Sequence, residues 1–119
     1  MELRILTGGD DPIVEVISPE IVVNTPQDAL DLIVAAGEHG AQCIILREQH
    51  LNEDFFELRT GLAGEIAQKS VNYRVKLAVV GSFEKYQSKS LRAFMLECNR
   101  GNQLFFGPDV ESAITKLSG

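Results

Sequence analysis

The chain has 119 residues, 45% of them hydrophobic and 24% charged, which excludes a disordered tail, a collagen and a membrane span. A chain of this length buries roughly two-thirds of the surface its unfolded form exposes, enough for one core without staples. Residues 1–119 therefore read as a single domain, and a balance of 17 acids against 11 bases, net charge −6, sets general nucleic-acid binding aside.

Leu3 to Leu6 reads as a short strand, Thr7 to Pro12 as a turn cluster, and Ile13 to Ile17, interrupted by Glu15, as the second arm of an antiparallel hairpin. Ile21-Val22-Val23 either extends the sheet or leads into the first helix. Thr25, Pro26 and Asp28 mark a helix start with a capping box. Leu30, Ile33 and Ala36 form its apolar stripe, and Gly37 and Gly40 end it. Cys43 to Leu46 is a continuous apolar run, the pattern of a strand covered on both faces. The polar stretch from Arg47 to Asp54 is a loop. Phe55, Leu58, Leu62 and Ile66 recur at helical steps. Gly61 and Gly64 inside that pattern favour a short turn over 53–58 before a helix capped near Thr60.

Val75 to Val80 is the next strand, closed by Gly81. Ser88 opens a helix with Leu91, Phe94, Met95 and Cys98 inward, and Gly101 stops it. Leu104 to Phe106 is a late strand, and Pro108-Asp109 starts a last helix with Val110, Ala113, Ile114 and Leu117 inward. Strands alternating with helices demand right-handed crossovers. The fold class is α/β: a mixed, mainly parallel sheet with an N-terminal antiparallel hairpin and about four helices. There is no repeat, linker or low-complexity tract.

Few residues point to chemistry. Cys43 and Cys98 sit in apolar settings and read as small core hydrophobes, not as metal ligands or a disulfide framework. No phosphate-loop, dinucleotide or nucleophile-elbow motif occurs, so no catalytic residue, metal or cofactor is expected. The opening Met1-Glu2-Leu3-Arg4 is not a signal peptide and no apolar run approaches a span, which points to a cytoplasmic protein without a membrane partner. Thr60-Gly61-Leu62-Ala63-Gly64-Glu65 stands out, because glycines at a helix start let an outside group approach backbone N–H groups. The competing reading is packing, with Gly61, Gly64 and Ala67 as one small face against the sheet. In parallel sheets, sites gather at the carboxyl ends of strands, so Glu48, His50, Thr60, Gly61 and Ser82 define an alternative rim for acid–base work. The bland expectation for His50 is a solvated loop histidine. Lys69 closes the second helix. Lys89 and Arg92 share a face of the third and, beside Tyr86, could grip a phosphate or an acidic partner.

Asp54-Phe55-Phe56, Thr60 to Glu65, Asn72 to Ala78 and Ser88-Lys89-Ser90-Leu91 resemble a bacterial family, the domain-of-unknown-function family four-one-eight-zero. That resemblance covers essentially the whole chain and implies a bacterial source without an activity. The element order also resembles STAS domains, the anti-sigma factor antagonist fold, in which an Asp-Ser-Ser-Gly-Leu-type turn opens a helix and one serine is phosphorylated. The matching stretch here is Leu58 to Ala63. Gly61 and Leu62 fit, and Thr60 matches the second serine. Arg59 stands where the phosphorylated serine would be and Leu58 replaces the acid, so the phosphoswitch does not carry over.

These readings converge on a STAS-like, non-enzymatic regulatory or adaptor domain with a protein partner. Its surface is expected to include Arg59, Thr60, Gly61, Glu65, Lys69, Lys89 and Arg92. The alternative is a small-molecule or nucleotide binder, even an enzyme, on the rim of Glu48, His50 and Ser82. An unpaired strand edge, at Phe105-Phe106 or at the first hairpin, invites a homodimer.

Overall fold

The computed structural model describes residues 1–6 and 11–118. The expected turn over Thr7–Pro12 falls outside the described residues from 7 to 10. Strand β1 (Glu2–Ile5) pairs antiparallel with β2 (Ile13–Ile17), which is followed by α1 (Pro26–Glu38), β3 (Cys43–Arg47), α2 (Leu62–Asn72), β4 (Lys76–Val80), α3 (Lys89–Arg100), β5 (Leu104–Gly107) and α4 (Val110–Leu117). Strands β2 to β5 are parallel, and the five-stranded sheet keeps chain order, β1-β2-β3-β4-β5. The α/β class and the opening hairpin are as read from the sequence.

Chain-order strands decide where the helices go. Each of the three crossovers steps one strand in the same direction. With a common right hand they put α1, α2 and α3 on one face. Val14, Val16, Ile44, Leu46, Leu77, Val79, Leu104 and Phe106 point to that side, against Leu32 and Ile33 of α1, Ala63 and Ile66 of α2, and Leu91 and Met95 of α3. Alternate residues Ile13, Cys43, Ile45, Ala78 and Val80 face the other way, against Ala113 and Leu117 of α4. β3 is thus buried on both faces, as its unbroken apolar run requires. Phe106 joins the three-helix side, and Phe105 is covered by the α4 layer, with the Lys116 ammonium 5.9 Å from its ring centre. Glu15, on the α4 side of β2, is buried and paired with Arg47 at 2.6 Å, so the interruption in that strand is an ion pair.

α1 begins as its sequence specifies. The Thr25 hydroxyl accepts from the Asp28 N–H at 3.1 Å, and the Asp28 carboxylate accepts from the Thr25 N–H at 3.3 Å. Ile21–Val23 forms no strand: Val23 makes a single parallel bridge to Leu51. The loop after β3 is built from three short 3₁₀ turns, Glu48–His50, Glu53–Phe56 and Leu58–Thr60. Among the described residues, no helix is long and apolar enough to cross a membrane.

Candidate functional site

Gly61 joins the last 3₁₀ turn to α2. Its φ of +81° lies in the left-handed region, where a side chain is strained. That single residue turns the chain into the helix, and its carbonyl accepts the first helical bond, from Glu65 N–H at 2.9 Å. The expected cap near Thr60 is therefore displaced by one residue. Thr60 serves the loop instead: its hydroxyl stands 2.7 Å from the Asp54 carbonyl and 2.8 Å from that of Glu57, and accepts from Leu62 N–H at 3.3 Å. Its one donor is used within the chain, and so is one of its two acceptor lone pairs.

Packing does not explain the glycines. Leu62, Ala63, Ile66 and Ser70 make up the buried side of α2. A Cβ added to Gly61 or Gly64 would meet no atom within 4 Å. The expectation of a small face of Gly61, Gly64 and Ala67 against the sheet is corrected in part: Gly64 is exposed, whereas Ala63 is buried and Ala67 packs against the core. Around the two glycines stand Arg59, 88% exposed in its side chain with Glu57 at 3.5 Å, and exposed Glu65. Lys69 lies one turn beyond Glu65 on the same helical face. Lys89 and Arg92 belong to a different helix. Arg92 Nε donates to the Tyr86 carbonyl at 3.0 Å, which ties it to the loop before α3, while Lys89 is exposed.

The alternative rim is a structural clamp. His50 is no solvated histidine, being only 1% exposed. Its Nδ1 accepts from Arg47 N–H at 3.0 Å and its Nε2 lies 2.9 Å from the Ser18 carbonyl. Those partners assign the imidazole proton to Nε2. The ring stitches the end of β2 to the loop after β3 and presents no atom to a substrate. Glu48 sits at the carboxyl end of β3, as expected. Its carboxylate accepts from Ser82 N–H at 3.0 Å and from the Tyr86 hydroxyl at 3.3 Å, and pairs with the Lys85 ammonium at 2.8 Å. Burial pushes the Glu48 carboxyl up. Lys85, the Ser82 N–H and the Tyr86 hydroxyl outweigh it and hold the pKa below its ordinary value. Burial and the Glu48 charge push Tyr86 up, and the Glu48 hydrogen bond raises Lys85. Tyr86 stacks on Phe56 at 4.7 Å between ring centres, so the loop after β4 is fastened to the loop after β3 by an ion pair and a ring contact.

Sequence reading placed Glu48 and Ser82 at one edge but missed Lys85, as well as Tyr86 as a partner of Glu48. The signal was the glycine after β4, since Gly81 leaves room for the carboxylate. It also missed a cavity of about 320 Å³ at the opposite, amino end of the strands, lined in part by Asp11, Cys43, Arg74 and Lys76. No group of three metal-ligating side chains occurs among the described residues.

Fold and surface together define a small α/β domain whose three-helix face carries an open, glycine-bearing helix start beside a closed polar clamp. The chain belongs to the family described as a domain of unknown function (DUF4180), which matches residues 9–117. No curated protein and no solved structure matches it.

Proposed function

We propose that the protein is a non-enzymatic regulatory or adaptor domain that binds a protein partner where the last 3₁₀ turn enters α2. Arg59, Thr60, Gly61 and Glu65 form the centre of this surface, with Lys69 at its margin and Lys89 and Arg92 as contacts from α3. Gly64 is the observation that carries the reading. Gly64 stands in the first turn of α2, where glycine is still a weaker helix former than alanine, and nothing lies within 4 Å of the place its side chain would take. No neighbour inside the molecule requires the gap, whereas a partner lying close against the helix backbone does.

Acid–base catalysis fits less well. Glu48 is held ionised, and Tyr86 and Lys85 are shifted away from neutrality, so these groups are poorly matched to proton transfer near pH 7. A bacterial cytoplasmic setting, with Cys43 and Cys98 as free thiols, and the likeness of the element order to STAS domains belong to the same proposal.

Affinity capture from the source cells tests it, with wild type, Gly64→Gln and Arg59→Glu as baits. Gly64→Gln replaces a poor helix former by a good one and should raise Tm by a few degrees, yet lose the partner. Arg59→Glu should lose it at unchanged Tm. Identical partner sets from all three baits, or no specific partner for wild type, remove the reading.

A further inference from the structure

β1 forms one edge of the sheet. Its residues are largely exposed, Ile5 at 51%, and Met1 just before it at 69%. The phase of its hydrogen bonds is given by Leu6, whose N–H donates to the Ile13 carbonyl at 2.9 Å. In an antiparallel pair, residues whose backbone groups point at the neighbour alternate with residues whose groups point away. Glu2 and Arg4 are in phase with Leu6 and turn theirs toward β2. Leu3 and Ile5 turn theirs to the open edge, and Met1 shares their phase.

Such an edge is a template for another strand, and its sequence selects which one. A second copy related by a two-fold axis perpendicular to the sheet runs antiparallel and keeps each face continuous, so odd residues oppose odd and even oppose even. An axis through Glu2 sets two carboxylates opposite each other. An axis through Arg4 does the same with two guanidiniums. An axis through Leu3 instead sets Glu2 opposite Arg4 of the second copy, twice, with Leu3 against Leu3 and Met1 against Ile5. The outward Leu3 groups then bond reciprocally. Glu2 and Arg4 meet in the non-hydrogen-bonded positions where side chains approach closest, and opposite charges there stabilise as like charges destabilise.

We infer that the protein forms a two-fold dimer through β1, paired with β1 of a second copy in the register centred on Leu3, doubling the five-stranded sheet. Sedimentation velocity over a concentration series tests this. Wild type should sediment as a dimer that dissociates on dilution. Glu2→Arg and Arg4→Glu each place like charges opposite and should sediment as monomers with unchanged far-ultraviolet circular dichroism. An equimolar mixture of the two variants should restore the dimer, because each edge then meets its opposite. Arg4 also faces Glu15 across the hairpin. If Arg4→Glu fails to fold, Leu3→Cys supplies the decision. In this register the introduced thiols stand opposite each other within disulfide reach, and mild oxidation should yield a covalent dimer that wild type does not form. A wild-type monomer at several hundred micromolar, a dimer indifferent to the charge reversals, or no cross-link from Leu3→Cys each overturns the inference.

Discussion

Gly81 follows β4 where the Glu48 carboxylate occupies the space of a side chain: a Cβ there would stand 2.7 Å from Oε1 and 2.8 Å from Cδ. This approach lets Glu48 take the Ser82 N–H and the Lys85 ammonium together, and it ties the loop after β4 to a residue 34 positions earlier. The clamp carries a pH signature. Because Glu48 has a folded pKa below its ordinary 4.5, the folded state binds fewer protons at that group than the unfolded chain does. Its contribution to stability is present in full above the ordinary value and disappears as pH falls through the folded one. Glu48→Gln removes this dependence. Denaturant unfolding at about pH 7 and about pH 3 should show wild type exceeding Glu48→Gln by more at the higher pH, the gap narrowing on acidification. Equal gaps at both would mean that ionisation of Glu48 does not hold the loop.

Two glycines three residues apart play opposite parts in α2. Gly61 holds a φ of +81°, and an L-residue there costs roughly 1–2 kcal/mol. Gly61→Ala should therefore lower the urea midpoint by about that equivalent, although open space lies where its side chain would go. An unchanged midpoint would show the junction relaxing to a right-handed turn. The helices were legible because their signals are local: Thr25 and Asp28 bond each other across three residues, and Ser88 and Asp109 each accept one backbone N–H from three residues on, Leu91 and Ser112. The loop after β3 was legible as a polar break and a short turn over 53–58 ahead of the helix, and 3₁₀ turns stand at Glu53–Phe56 and Leu58–Thr60. Adjacent Phe55 and Phe56 are both buried; a helical period allows such a pair, but their burial in a 3₁₀ turn rests on distant partners, Phe106 for Phe55 and Tyr86 for Phe56. The candidate surface was legible as a place, since Gly61 and Gly64 break a helical pattern. The rim was legible in part: Glu48 and Ser82 do meet at the strand ends, but the burial of His50 was not, because it finds its partner Ser18 at a separation of 32 residues, and no local pattern carries that pairing.

Across the whole molecule, stability should fall from the centre of the sheet to the β1 edge. β3 and β4 are flanked by parallel neighbours and covered on both faces; Ile44, Ile45 and Ala78 are fully buried. β1 has one neighbour, no helix follows it directly, and its residues are largely exposed. Amides opened only by global unfolding exchange with a strong denaturant dependence, whereas those released by a smaller opening exchange faster and respond weakly. Native-state hydrogen exchange on dilute protein should therefore place Ile45 and Val79 in the slowest, denaturant-sensitive class. The Leu6 amide, bonded to Ile13, should exchange through a lower-energy opening with a shallow denaturant slope. If Leu6 instead shares the slope and free energy of Ile45, the hairpin is part of the central cooperative unit. β1 would then be a fixed margin of the core, held as firmly as the strands at its middle.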